Sequence, residues 1–270
     1  RDRITSDEEE RMRRGYDILT NYRFAEDTNG QPRRRRAKTY ATGDATEDKQ
    51  PLLELTYAPA ATLWRINHGW RRSPDRKGYR LDLRSGRWIG QNGEDDGDAA
   101  TGQNTAGPEI KPGVRLFVRG TANVLLVYPH GVDEAALKNP SFLPSLQYAL
   151  GRGIQELFEV EGSELASERI GEGAAQGILF WENSEGGLGV LRRIVQEPAA
   201  LAAVARRALE VLHFDPDSGE DLRPAGREND SETPCGRGCY ECLLSYYSQR
   251  AHRLLDRHAV QDALRALAGS

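Results

Sequence analysis

The residues with the plainest chemistry are Cys235, Cys239 and Cys242, the chain's three cysteines, in the run Cys235-Gly-Arg-Gly-Cys239-Tyr-Glu-Cys242. Zinc takes four thiolate or imidazole donors in a tetrahedron, and a C-x2-C step lets two sulfurs of one tight turn reach the same ion. Gly236 and Gly238 give the longer C-x3-C step its backbone freedom. Buried thiols can also act as small hydrophobes, but Arg237, Tyr240 and Glu241 between these cysteines do not make an apolar stripe. A disulfide scaffold would spread pairs along an exported chain, whereas these three are clustered.

Three cysteines leave one coordination position. His252 is the first choice for it, because residues 243–249 can make about two helical turns and a bend at Arg250-Ala251 would fold the imidazole back. His258 and His213 are second choices. If water filled the position instead, the zinc would be of the catalytic kind. A nucleobase-deaminase site is excluded. It needs His-x-Glu ahead of Pro-Cys-x2-Cys; Pro234-Cys235 is present, but Phe214 and Asp215 follow His213.

The elements that must position these residues can be read from hydrophobic periodicity. Residues 1–50 read as a charged helix, with Met12, Tyr16 and Leu19 at helical spacing, and then a polar linker holding the arginines of 33–36. Residues 51–140 form a β-rich subdomain. Strands at 52–57 and 62–67 flank a turn at Pro59, a hairpin over Ser85-Gly86 joins 79–83 to 87–89, and another around Gly120 joins 114–118 to 123–128. Residues 141–270 form a helical zinc-binding subdomain. Leu146, Leu150, Ile154 and Leu157 mark an amphipathic helix despite Gly151 and Gly153, residues 176–182 a short apolar strand, and further helices follow Gly189, Pro198 and the cysteines. The expected class is α+β, with an antiparallel β-rich N-terminal half and a helix-rich C-terminal half carrying a structural zinc site.

Other candidates are weaker. Trp70, Arg71 and Arg72 interleave aromatic and basic groups, as a single-strand stacking surface would, while Trp64 alternates with apolar neighbours and reads as core. The turn Glu185-Gly186-Gly187-Leu188-Gly189 could offer N–H groups to a phosphate, but its acidic neighbours Glu182 and Glu185 oppose an anion, so it reads as tight strand-to-helix packing. Lys38-Thr39 is preceded by Ala37 where a P-loop requires glycine, so the sequence holds no P-loop and no ATPase is expected in this chain. A net charge of −4 argues against a generally basic nucleic-acid binder. No run approaches the roughly 18 apolar residues that span a bilayer. With Arg1 rather than methionine at its start, the chain reads as a piece of a longer polypeptide.

Several stretches carry a resemblance. They are Asp7-Glu8-Glu9-Glu10-Arg11 with Gly15-Tyr16, and Trp64-Arg65-Ile66-Asn67-His68-Gly69-Trp70-Arg71-Arg72. With them go Phe180-Trp181-Glu182-Asn183-Ser184-Glu185-Gly186-Gly187-Leu188-Gly189-Val190-Leu191, Gly238-Cys239-Tyr240-Glu241-Cys242-Leu243-Leu244-Ser245-Tyr246, and His252 followed by Leu255-Asp256-Arg257. Nearly the whole chain resembles the MrfA-type zinc-binding domain, formerly a domain of unknown function. That family is found at the C-termini of superfamily 2 helicases and in accessory proteins of phage-defence systems such as DISARM. Such helicases commonly carry C-x-C-x3-C-x2-C, which places Thr233 where a first cysteine would stand and favours His252 as substitute.

The resemblance implies a non-catalytic, zinc-binding C-terminal module of a cytoplasmic ATP-dependent helicase, working in DNA repair or antiviral defence. The implied partners are nucleic acid, DNA ahead of RNA, and motor domains upstream or on a partner helicase, with no membrane. Two other readings stay open: a protein-interaction scaffold in a defence complex without nucleic-acid contact, and a fragment of a zinc-dependent hydrolase.

Overall fold

A computed structural model describes residues 15–40, 51–70, 78–89, 109–131, 134–184, 186–197, 199–225 and 234–269. In chain order the strands are β1 (Tyr16–Arg23), β2 (Arg35–Thr39), β3 (Leu53–Trp70), β4 (Tyr79–Asp82), β5 (Trp88–Ile89), β6 (Ile110–Val114) and β7 (Leu116–Pro129). After them come helices α1 (Glu134–Lys138) and α2 (Phe142–Phe158), strands β8 (Leu165–Ile170) and β9 (Gly177–Glu182), and helices α3 (Val190–Gln196), α4 (Ala200–Val211) and α5 (Gln261–Ala268). The architecture is α+β, strands dominating the first half and helices the second. Contacts divide the chain into a unit of residues 1–23 and 62–120 and a larger unit of residues 24–61 and 121–270.

In the smaller unit β1 pairs antiparallel with the end of β3, from Arg23↔Thr62 to Tyr16↔Trp70. The helix expected over 1–24 is therefore corrected over its described part: residues 16–23 are a strand. Tyr16, Ile18, Thr20 and Tyr22 alternate along it, and pairing with β3 outweighs the local 3.6-residue spacing of Tyr16 and Leu19. Met12 lies outside the described residues. The hairpin over Ser85-Gly86 is present, with Arg80 opposite Ile89 and Leu81 opposite Trp88. Asp82 stabilises its turn by accepting hydrogen bonds from Ser85 Oγ (2.6 Å) and Arg84 N (3.0 Å).

Two other expected turns are absent. β3 is continuous through Pro59, with Ala60 at a φ of 50° and its N–H donated to Asn123 Oδ1 at 3.2 Å. β7 likewise continues through Gly120 with no hairpin. Arginines 35 and 36, expected in a loop, belong to β2 and pair with Tyr57 and Thr56. Trp64, expected in the core, is only half-buried.

In the larger unit the strands follow the order β2, β3, β7, β9, β8. β9 is buried along its whole length, and Leu125, Val127, Ile178 and Phe180 share one apolar cluster with Leu146, Leu150 and Ile154 of α2 and Leu201, Val204 and Leu209 of α4. The helical spacing of α2 is thus the stripe that covers the sheet. Gly153, costly in a helix interior, has a packing reason: a Cβ there would lie 2.4 Å from Val204 O of α4. At Gly151 a Cβ would meet only the Phe180 ring, at 3.8 Å.

Those two glycines give opposite expectations. Gly153→Ala should destabilise the fold by roughly 1–3 kcal/mol through overpacking. Gly151→Ala should be neutral or stabilise by up to about 1 kcal/mol, since alanine restricts the unfolded chain. Urea denaturation of the two variants measures the difference.

Candidate metal centre

Helix α4 carries its apolar stripe (Leu201, Val204, Ala205, Ala208, Leu209) into the core and stops at Leu212. His213 then takes a φ of 62°. Its N–H bonds Glu210 O at 3.0 Å, and the N–H of Phe214 bonds Leu209 O at 2.9 Å. This is a Schellman helix end, with the apolar contact between Leu209 and Phe214 that often accompanies it and histidine where glycine is usual. A side chain in that left-handed conformation costs roughly 1–2 kcal/mol. The fully buried Leu212 and Phe214 on either side hold it there and fix the direction of the imidazole.

The chain returns to this point twice. A tight loop stabilised by the Asp215 carboxylate, which accepts from Ser218 N at 2.7 Å, brings back Asp221 opposite Phe214 and Leu222 N onto His213 O at 2.9 Å. The Cys235 N–H then donates to Arg223 O at 2.9 Å. Within the cysteine segment a compact turn closes on Cys239 O, which accepts from Cys242 N (3.2 Å) and Leu244 N (2.9 Å), while Cys239 N points at Cys242 Sγ at 3.0 Å.

These turns converge on one point. Cys242 Sγ is 3.7 Å from Cys235 Sγ and 3.5 Å from Cys239 Sγ, and His213 Nε2 is 3.2 Å from Cys239 Sγ. All four donor atoms lie within 4.8 Å of one another. A tetrahedral zinc site with Zn–S near 2.3 Å has sulfur–sulfur edges of about 3.8 Å, whereas a disulfide would need about 2.05 Å. The donors therefore fit a zinc ion, and the three cysteines are free thiols. Burial, and then the neighbouring Cys242, push the Cys235 thiol well above its ordinary pKa; burial does the same at Cys242. The buried thiols of Cys235 and Cys242 ionise together only beside a cation, and a coordinated divalent metal supplies that charge. Three soft thiolates with one imidazole select zinc among common divalent ions.

The structure corrects the expected fourth member of this group, which is His213 and not His252. The expected bend exists as a 3₁₀ turn over Gln249–Ala251, but it delivers His252 Nε2 to Ser245 O (3.0 Å) and Ser248 Oγ (3.1 Å). His252 thus braces the turn that follows the cysteines. His258 is held by carboxylates, Nε2 at 3.2 Å from Asp221 Oδ2 and Nδ1 at 3.4 Å from Asp256 Oδ1.

Sequence reasoning missed Arg257 as part of this site. Its side chain is fully buried. Nε donates to Gly236 O (2.9 Å) and Nη1 to Leu212 O (3.1 Å). Nη2 donates to Cys235 O (2.6 Å), Arg223 O (3.2 Å) and Asp221 Oδ2 (2.5 Å). The guanidinium also lies over the Phe214 ring, 4.6 Å from its centroid. Burial would raise the Asp221 pKa, but hydrogen bonds from Arg257 and His258 outweigh it and hold the carboxyl below the usual aspartate range.

Trp70 is the last residue of β3, opposite Tyr16, and Arg71, Arg72 and Thr233 lie outside the described residues. At the glycine turn, the buried Glu182 carboxylate accepts from Leu188 N (3.0 Å), Leu191 N (3.1 Å) and Asn123 Nδ2 (2.9 Å). It thereby takes up N–H groups that a phosphate would use. Gly187, at a φ of 79°, leaves room for it: a Cβ there would lie 2.5 Å from Glu182 Oε2.

The family model of the MrfA Zn-binding domain matches residues 146–243, a span holding His213 and all three cysteines. No curated protein matches the chain. Among solved structures the chain is similar to the crystal structure of the DUF1998 helicase MrfA bound to DNA, at 12% identity and a TM-score of 0.44. That similarity covers 90% of this chain and 25% of the helicase chain.

Two substitution pairs test this geometry. His213→Asn keeps a residue that tolerates the left-handed backbone but removes the imidazole. It should weaken zinc retention by more than the roughly 10–100-fold typical of losing an outer-shell partner, while His252→Asn should keep zinc; competition with a chromophoric chelator reads both. Arg257→Met should cost about 3–5 kcal/mol in denaturation of the zinc-loaded chain, because Asp221 and the carbonyls stay buried without their donor. Arg253→Met, on the exposed surface, should change stability little.

Proposed function

From the match of residues 146–243 to the MrfA Zn-binding domain model, we infer that the chain is the non-catalytic, zinc-stabilised C-terminal module of an ATP-dependent superfamily 2 helicase. It acts on nucleic acid, DNA ahead of RNA, in repair or antiviral defence, with the motor upstream in the same polypeptide or on a partner in the cytoplasm. One observation carries this reading: one histidine and three cysteines, grouped at tetrahedral dimensions inside the matched span. Cys235, Cys239, Cys242 and His213 would hold the ion. Zinc supplies there a cross-link between the end of α4 and the cysteine turns, and the positive charge the thiolates need.

The closed donor set speaks against the hydrolase reading. Catalytic zinc sites keep a position for water, and structural ones fill it with protein. Trp70, Arg71 and Arg72 are proposed to contact nucleic acid, the tryptophan by stacking and the arginines on phosphate. No described helix is long and apolar enough to cross a membrane.

Metal analysis of the purified chain should find one zinc per chain, lost in Cys239→Ser together with part of the thermal stability; a zinc-free wild type would refute the reading. Single-stranded DNA should bind in a salt-dependent way and be released in the double variant Trp70→Ala/Arg71→Ala. No binding of single-stranded DNA at low salt would favour the scaffold alternative, and binding that ignores both substitutions would remove Trp70 and Arg71 from the contact surface.

A further inference from the structure

Exposed aromatic rings occur within and just past the cysteine turn. Tyr240 is 77% exposed, Tyr247 60% and Tyr246 41%, with Leu254 at 39%. Single exposed tyrosines are ordinary, but these belong to one connected surface. The Tyr240 ring sits edge-on to His252 with centroids 6.1 Å apart. His252 in turn grips Ser245 O and Ser248 Oγ, on either side of Tyr246 and Tyr247, whose own rings are 5.8 Å apart. The base of this surface is rigid. Ser248, fully buried, donates to Leu243 O at 2.9 Å, and Tyr148 OH donates to Tyr247 O at 3.4 Å.

Arg250 and Arg253, both exposed, follow Tyr246 and Tyr247 closely in sequence, in a chain whose net charge is −4. The acidic groups of the segment are engaged: Glu241 pairs with Arg223, and Asp256 with Arg237. Aromatic faces that take bases, interleaved with guanidinium groups that take phosphates, are the chemistry of single-strand recognition. Duplex DNA keeps its base faces stacked away from such a surface, whereas an unpaired strand offers them.

We propose that Tyr240, Tyr247, Arg250 and Arg253 form a stacking platform for single-stranded nucleic acid, held in shape by the His252 brace and the zinc turn. This rests on the reading of the chain as a nucleic-acid-binding module, and adds a surface separate from Trp70, Arg71 and Arg72. No step of bond making is involved; the platform holds a strand.

The test uses the zinc-loaded chain and a fluorescent oligothymidylate at low salt, read by anisotropy. Tyr240→Ala and Tyr247→Ala should each weaken binding at least about fivefold, the lower bound for loss of one base stack. The Phe substitutions at both positions should bind like wild type, because the ring faces remain. Arg253→Gln should reduce the dependence of log affinity on log salt by about one phosphate's worth. Zinc content of every variant shows that the site is still formed. If wild type binds and the zinc-loaded double variant Tyr240→Ala/Tyr247→Ala binds equally well, the platform is wrong while the module reading survives. If wild type itself fails to bind at low salt, both fall together, and the tyrosine cluster becomes a protein-contact surface.

Discussion

The geometry of the metal centre depends on a cation that is not the metal. Arg257 places a guanidinium, fully buried, against the carbonyls of Leu212, Arg223, Cys235 and Gly236 and the carboxylate of Asp221. Leu212 precedes the donor histidine, and Cys235 is itself a donor. One planar group therefore fixes the backbone on both sides of the site, in segments more than 20 residues apart in sequence. Arginine suits this because its fork of N–H donors meets several carbonyls in one plane, which a lysine's point charge does not. The arrangement also matters electrostatically. The charge of the guanidinium is itself matched by the Asp221 carboxylate at 2.5 Å, so the brace is a neutral pair.

Magnitudes decide what the metal contributes. Structural zinc carries about 10–16 kcal/mol of apparent binding energy in finger peptides, against a total stability of roughly 5–15 kcal/mol for an ordinary domain. The left-handed strain at His213, roughly 1–2 kcal/mol, is small beside the first figure and tolerable within the second. Cys235, Cys242 and Leu243 belong to the same apolar cluster as α2, α4 and the sheet strands. The site is thus continuous with the core of the larger unit, and losing the ion would leave buried thiols, and a strained helix end, inside that core.

What the sequence made legible follows local rules. The stripe of α2, the hairpin over Ser85-Gly86 and the cysteine turn each depend on residues close in sequence, and each is present. The failures have a common physical origin. Pro59 and Gly120 look like turn punctuation, yet β3 and β7 continue through them, so one residue's turn preference ends neither strand. His213 gave no signal as a donor because a Schellman end normally announces itself with glycine. It stood in the sequence as one of three alternatives, with no local reason to prefer it. Arg257 was invisible for a related reason: a lone arginine reads as surface, and only the fold brings the carbonyls that surround it. A buried histidine directly after an apolar helix, with no glycine to end the helix, is the one trace that could have singled out His213.

His252 shows how a near miss can carry information. Its bend occurs where the sequence placed it, and the residue lies ten positions past the last cysteine. Yet its ring nitrogen holds the Ser245–Ser248 turn, and its edge meets Tyr240. Two histidines thus divide the work. His213 comes from a helix end, where its imidazole reaches the Cys239 sulfur. His252 comes from a turn, where half-burial lets it shape a surface. Swapping their roles would require moving α4, because the Schellman bonds fix His213 to that helix as firmly as the serine contacts fix His252 to its turn.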